Sequence, residues 1–478
     1  MKILLINPFS GTENPLLPLG LAYIAAFLEK NNFKVDVLDA DALAMPEEEM
    51  EKYLLSMPEK PDLVGVTMMT AGFYSGKKTI ETVKRILPNS FIITGGNHAS
   101  ALPEQTLKEI PELDFAVKGE GEITLLELVR ALAGKGNIKD VAGIYYRENG
   151  RIISTPPREL IRDLDSLPFP AREKFPLDRY KTHPPYGLKN PYMHMITSRG
   201  CPYGCAYCSK SVFGRMLRMR SVSRVVDEIE ELIKKYKVKE IKFYDDDFTL
   251  DMKRAEAICD EILKRKITIP WSCTTRVDLV TEPLLKKMKL AGCWLIAYGV
   301  ESGCQDLIDL IGKNIKLEQV KKAFDWSRQT GIKTLAYFMV GLPGETGQSI
   351  EKTIEFSKKL NPDFVNWSLT TIFPATPLKE IVKERVKTKG RIVHYSSNSK
   401  DMYRLNWDQE PLFIYEENIP IPELKKYVTR AYIEFYLRPK YIFSQLLKIR
   451  SARELIYYFK AFLNMLKTFY GAKQIKSG

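Results

Sequence analysis

Three of the chain's seven cysteines fall within eight positions, in the stretch "SRGCPYGCAYCSK" at residues 198–210. Cys201, Cys205 and Cys208 are separated by three residues and then two, close to known iron–sulfur loop spacings but one thiolate short of fully ligating a four-iron cluster. One iron would stay open. An open coordination position makes a metal centre catalytic, because a substrate or cofactor can bind the metal directly. Gly200 and Gly204 would let the backbone approach the sulfurs closely. The competing readings are a zinc site with a distant fourth ligand and three buried thiols without a ligand. Neither explains why the triplet directly follows a strand at what reads as a barrel mouth. Cys259, Cys273, Cys293 and Cys304 show no ligand spacing and read as small core residues.

The elements that must position this loop repeat regularly. From "YMHMITS" onward, the apolar runs "EIKFYDDDF", "IPWSCTTR", "WLIAYGVES", "TLAYFMVGLPGET" and "FVNWSLTTIFP" alternate with helical patterns such as "VSRVVDEIEELIKKY" and "MKRAEAICDEILKRK". Six such units predict a partial parallel (β/α)6 barrel with its polar residues at strand C-terminal ends. The first 150 residues form a separate alternating series, with strands predicted at 2–7, 34–39, 63–69, 91–96 and 115–122. They predict a doubly wound, Rossmann-like parallel sheet, so the fold class is α/β, with a helical region following the barrel. Its strand ends carry Asn7-Pro8, Gly95-Gly96-Asn97-His98 and Gly119-Glu120-Gly121-Glu122. Singly these read equally well as tight turns; together they suggest a backbone-lined platform for a ligand.

The expected division is a Rossmann-like domain at 1–154, a connector at 155–192, the barrel at 193–380 and a helical cap at 381–478. The connector reading rests on eight prolines without periodicity. No leader pattern opens the chain and no run of eighteen apolar residues occurs, so a cytoplasmic, reducing environment is expected and the clustered thiols point to metal or redox chemistry rather than disulfides. The net charge is +13, and residues 421–478 hold twelve Lys and Arg against three Glu.

On the cysteine triplet, the aromatic Tyr207 and the six β/α units, the chain resembles the radical S-adenosylmethionine superfamily. On "PLLPLGLAYIAAFL", "GGNHASALPE" and "VKGEGEITLLEL", its first domain resembles the cobalamin-binding domain of one large branch, which includes the anaerobic magnesium-protoporphyrin ester cyclase and carbon methyltransferases. The resemblance implies a 4Fe-4S cluster, S-adenosylmethionine and cobalamin as cofactors, an external electron donor of the flavodoxin or ferredoxin type, and an oxygen-sensitive enzyme. In that superfamily the open iron holds S-adenosylmethionine, and reduction yields a deoxyadenosyl radical that abstracts hydrogen from an unactivated carbon. Carried over by position, Cys201, Cys205 and Cys208 hold the cluster. Tyr207, Asp245, Asp247, Arg276, Glu301, Gly341 and Gly344 face S-adenosylmethionine. Pro8, Leu16, Thr67, Gly95, Gly96, Asn97, His98, Gly119 and Glu120 lie on the cobalamin side.

Three departures stand out. The usual Gly-Gly-Glu is replaced by Asp245-Asp246-Asp247; Pro374-Ala375-Thr376 stands where Pro-Gly-Thr is common; and no Asp-x-His-x-x-Gly occurs, so cobalamin is expected without a histidine axial ligand and His98 reads as a polar loop residue. The favoured function is methylation of an unactivated carbon by way of the deoxyadenosyl radical and methylcobalamin, on a small molecule, lipid or polycyclic substrate. The alternatives are radical ring closure, oxidation or rearrangement of an isoprenoid or polycyclic substrate without methyl transfer, and a cobalamin-dependent sensor. The aromatic, basic run 455–470 predicts a helix lying on anionic lipid at the inner face of the membrane, or else a packed cap. No nucleic-acid module accompanies the basic tail.

Overall fold

A computed structural model describes residues 1–12, 14–183, 185–394 and 413–448. Strands β1 (Lys2–Asn7), β2 (Lys34–Asp39), β3 (Leu63–Thr67), β4 (Phe91–Gly95) and β5 (Phe115–Val117) pair in parallel in the order β2-β1-β3-β4-β5. The uninterrupted apolar run of β1 fits a central strand covered on both faces. Ile3 and Leu5 pack under the helices Leu19–Lys30 and Gly121–Leu132, while Leu4 and Ile6 pack under Glu47–Ser56 and Phe73–Ile86.

The sequence reading missed a hairpin, β6 (Ile144–Glu148) and β7 (Arg151–Ser154), which extends this sheet in antiparallel fashion. Asn149 (φ 51°) and Gly150 (φ 75°) form its turn, the left-handed pair that suits two-residue hairpin loops. β5 stops well short of residue 122 because Gly119, at φ +88°, swings the chain into the next helix.

The second sheet is built from β8 (Tyr192–Met195), then, beyond the antiparallel pair β9 (Ser198–Arg199) and β10 (Arg218–Met219), from β11 (Glu240–Phe243), β12 (Trp271–Thr275), β13 (Cys293–Glu301), β14 (Lys333–Val340) and β15 (Phe364–Leu369). The six main strands are parallel in the order β8-β11-β12-β13-β14-β15, and β8 does not pair with β15, which leaves a partial barrel. Alternation sorts the side chains: Ile241, Phe243, Trp271, Cys273, Ala336 and Phe338 join the helical layer, and their neighbours face inward.

The open edge at β15 is covered by the helix Ile421–Tyr436. The backbone N–H groups of Val365 and Trp367 donate to Tyr436 Oη (3.1 Å) and Tyr432 Oη (2.9 Å), which satisfies donors that an edge strand would otherwise leave unpaired.

Residues 155–192 differ from the expected connector. Prolines keep this stretch out of long regular elements, but several of its other residues are core residues: Ala171, Phe175 and Tyr180 join the same apolar cluster as both sheets. Arg172 is fully buried and pairs at 2.6 Å with the fully buried Glu228, which also pairs with Arg220. Tyr180 Oη donates to Asp39 at the end of β2 (2.6 Å), and the N–H groups of Leu188 and Lys189 donate to Glu240 on β11 (2.6 and 2.7 Å). The segment ties the two sheets together.

Among the described residues no helix is long and apolar enough to cross a membrane. The run 455–470 lies outside the described residues.

Candidate active site

The cluster loop runs from β9 to β10, whose short pairing closes its base. Gly200 opens it at φ +85°, where a Cβ would stand 2.3 Å from the Met216 carbonyl oxygen, so only glycine fits this crossing. Neighbouring turns grip the loop at Ala206, whose N–H donates to Ile311 O (2.8 Å) and whose carbonyl accepts from Leu378 N (2.8 Å). Cys201 and Cys205 are buried and Cys208 is half-buried. Burial pushes the Cys208 thiol up to about 12 and raises that of Cys201, with Lys210 opposing both, so these two thiols favour their protonated form until a metal takes the proton's place.

The strand-end groups carried over by position separate into two kinds. Asp247 approaches Cys201 Sγ at 3.7 Å, and burial pushes its carboxyl up to about 6. Arg276 reaches Cys205 Sγ at 3.7 Å, stacks 3.8 Å above the Tyr203 ring, and is fixed by Asp278 (2.9 and 3.0 Å) and by the Lys313 carbonyl (2.7 Å). Glu301 ends β13 at a register shift with φ 67°, which aims its carboxylate at Tyr207 Oη (2.9 Å) and at the Lys313 ammonium. These three side chains and Tyr207 do surround the loop.

Asp245 does not. Its carboxylate is buried and accepts from Thr197 N–H (3.1 Å), Thr197 Oγ (2.8 Å) and Ser198 Oγ (2.5 Å), so it braces the segment entering the loop and is not available to an amino group. Gly341 and Gly344 form the turn after β14 at φ +90° and +81°, with their N–H groups held by Glu345 and Glu417 (2.5 Å each). Buried within that turn, Glu345 has its carboxyl pushed up to about 7.

The C-terminal edge of the first sheet faces this loop. An added Cβ at Gly119 would stand 3.9 Å from Val212 O of the loop. Glu120, placed by sequence on the cobalamin side, is instead buried in an ion network: Arg199 at 2.7 Å, Arg218 at 2.6 Å, and the Ile161 N–H at 2.8 Å. Glu122 takes the second branch of Arg199 at 2.6 Å. Arg199 and Arg218 sit on the two strands that flank the cluster loop, so the network fixes the sheet edge to the loop.

His98 also differs from its sequence reading. It is not a loop residue; it lies on the short helix Asn97–Ala101, 1% exposed, against the Phe73 ring (4.7 Å), with neither ring nitrogen hydrogen-bonded in the described structure. Burial pushes it down to about 4. Gly96 turns the chain at φ +101° against Met68 and Thr67, while Gly95 ends β4 and Asn97 is exposed. Around them Phe9, Leu16, Leu43 and Met69 are exposed on the loops after β1, β2 and β3, beside the buried Pro8. Large apolar side chains gathered at a strand-end crevice suit a broad, flat ligand.

Sequence reasoning missed Lys313, Arg199, Arg218 and Tyr203. Arg199 adjoins the cysteine motif and could have been singled out. Lys313 follows Gly312 in an ordinary turn signal, and only the folded geometry brings it to Glu301.

The donor sets fit two groups. Three thiols ringed by Arg276, Lys210 and Lys313 suit an anionic iron–sulfur cluster. Among the described residues no three His, Cys, Asp or Glu side chains are grouped to hold a single ion, whereas a four-iron cluster takes its thiolates at separate corners. The apolar rim with its glycine turns suits a corrin.

A ligand edge of this kind, set against a three-cysteine loop at the mouth of a partial barrel, defines a class of radical enzyme with two cofactor sites. The chain belongs to the cobalamin-binding radical S-adenosylmethionine family: the Radical SAM superfamily profile matches residues 195–357 and the B12 binding domain profile residues 11–129. It is 35% identical to an uncharacterized methyltransferase of Pyrococcus horikoshii, over 93% of this chain and 95% of that protein. It is 31% identical to the anaerobic magnesium-protoporphyrin IX monomethyl ester cyclase of Rubrivivax gelatinosus, over 81% of this chain and 71% of that one. Among solved structures, the radical methyltransferase TsrM from Kitasatospora setae shares the fold (TM-score 0.74, 18% identity, 92% of this chain and 89% of that). So does the cobalamin-dependent enzyme OxsB (TM-score 0.74, 19% identity, 98% and 72%). The protein is thus a radical enzyme whose cofactors are a 4Fe-4S cluster, S-adenosylmethionine and cobalamin.

Proposed function

We propose that the protein methylates an unactivated carbon of a small-molecule or lipid substrate. Cys201, Cys205 and Cys208 hold the cluster; Tyr207, Asp247, Arg276, Glu301 and the turn at Gly341 and Gly344 surround S-adenosylmethionine. Pro8, Leu16, Thr67, Gly95, Gly96, Asn97 and Gly119 would hold the corrin. When bound, the cluster supplies the electron that generates the radical and cobalamin carries the methyl group. The chain's own residues orient and enclose. Arg276, held on three sides, offers a fixed cation for a carboxylate, and Glu301 with Lys313 offers a fixed acceptor and donor pair.

The observation that supports this reading is the buried network Arg218–Glu120–Arg199–Glu122, which ties the edge of the first sheet to the three-cysteine loop; cofactors held on these two elements would open on one space. Anaerobic incubation with methyl-labelled S-adenosylmethionine and candidate acceptors, read by product mass spectrometry, tests it. A labelled methyl group on carbon is the expected result. A product that has lost hydrogen or closed a ring without label would favour the second reading, which the likeness to the ester cyclase supports.

We further propose a cytoplasmic enzyme reduced by a flavodoxin- or ferredoxin-type donor, with peripheral contact to anionic lipid through the C-terminal segment. The +9 balance of residues 421–478 supports that contact.

A further inference from the structure

The inner face of the barrel holds polar groups away from the cofactor edges. On β11, Ile241 and Phe243 pack outward, which turns Glu240 and Lys242 inward. Lys242 is in register with His194 on β8 and Ser272 on β12. It is only 8% exposed, yet among the described residues its ammonium makes no hydrogen bond or ion pair; its neighbours are the rings of Tyr244 (4.8 Å) and Tyr186 (5.8 Å). Beside it, Ser272 Oγ is buried without a partner.

No described group pairs directly with the amine; the Glu240 carboxylate, two residues away on the same face, favours its charged form only from a distance. Glu240 is engaged by Leu188 N–H, Lys189 N–H and Trp294 Nε1–H (2.9 Å). His194 bonds Leu17 O (2.8 Å), and burial pushes it down to about 3, so it is neutral near pH 7. Burial pulls Lys242 down to about 8, which still leaves most of it charged at neutral pH. Tyr244 and Tyr186 remain 39% exposed although they flank this inward-facing amine, so the space beside it is open.

An ammonium and a hydroxyl buried side by side without partners are costly, and the cost is relieved when a ligand pairs both. We propose that the barrel interior binds an anionic oxyacid group of the substrate, a carboxylate or a phosphoryl group, through Lys242 Nζ and Ser272 Oγ, with the body of the substrate against Tyr244 and Tyr186. The proposal rests on the methyltransferase reading only for the idea that substrate enters the barrel. It makes the substrate an acid and sets aside neutral isoprenoids. The three residues from Lys242 to Asp245 span about 10 Å, so an anchored acid presents carbons of its far end to the mouth.

The test is calorimetric titration of the anaerobically reconstituted full chain with benzoate, phenyl phosphate and the neutral benzyl alcohol. The wild-type protein binds at least one anion more tightly than benzyl alcohol, and which anion it prefers distinguishes carboxylate from phosphoryl. Lys242→Met weakens the preferred anion at least tenfold, Ser272→Ala weakens it severalfold, Lys242→Arg retains it, and benzyl alcohol binds all variants alike. Removing a buried charge leaves Lys242→Met at least as stable as wild type, which a thermal melt checks. Equal anion binding by Lys242→Met and wild type, or no anion preference in the wild type, overturns the proposal. Deoxyadenosine formation by the wild type, measured on the same samples, reports on the radical reading alone; its absence beside intact anion binding would remove that reading and leave the anion site standing.

Discussion

The cluster loop and the corrin-side edge of the first sheet face each other, yet they are built by opposite means. The loop concentrates its chemistry in eight residues, braced by buried hydrogen bonds and by two cations, Arg276 just after β12 and Lys313 in the turn after the helix Gln305–Leu310. The sheet edge spreads its chemistry over the loops after four strands and relies on glycine turns and exposed apolar side chains. A cluster must be ligated at fixed points, so its site condenses into a motif. A large flat cofactor is held by area, so its site disperses.

The comparison breaks most completely at the thiols. Replacing Cys201, Cys205 and Cys208 with alanine should abolish iron uptake and deoxyadenosine formation, while Cys259→Ala and Cys304→Ala keep both; retained cluster absorbance in the triple variant would sink the assignment. Next comes the join between the two regions. Glu120→Gln leaves Arg218 buried without its carboxylate and should cost about 3 kcal/mol in a denaturant melt; a loss below about 1 kcal/mol would show that the network does not hold the regions together.

The sheet edge alone is probed through His98. Its folded pKa lies below the unfolded value, so the unfolded chain binds the extra proton and stability falls as pH drops from about 6.5 toward 4. His98→Leu should therefore lose about 2 kcal/mol less than wild type between pH 7 and 5. Parallel slopes for the two proteins would contradict the buried, unpaired imidazole. The smallest effect concerns Ala375, held at φ 54° where a Cβ is unwelcome; Ala375→Gly should gain up to about 1 kcal/mol in the same melt, and a loss would mean that the alanine methyl packs usefully.

These two regions were also unequally legible in the sequence. The cysteine triplet announced itself through spacing, and strands such as β1 through uninterrupted apolar runs. Pattern reading followed side-chain type along the chain, so it assigned Asp245 and Glu120 to cofactors by position. Their carboxylates are instead engaged by Thr197 and Ser198 in one case and by Arg199 and Arg218 in the other, partners 47 to 98 residues away. Such pairings are set by tertiary packing and leave no periodic trace. The proline-rich stretch misled for a related reason: prolines report the absence of regular structure, not the absence of packing, and Arg172 and Tyr180 lie among them.

The central claim is that the cluster loop and the sheet edge enclose one reaction space. Electron paramagnetic resonance of the anaerobically reconstituted full chain, with the cluster reduced and cobalamin in its cob(II) state, tests it most directly. The account predicts that the two signals are broadened by mutual coupling and sharpen when either cofactor is left out. Full occupancy of both cofactors with two independent, uncoupled spectra would contradict it.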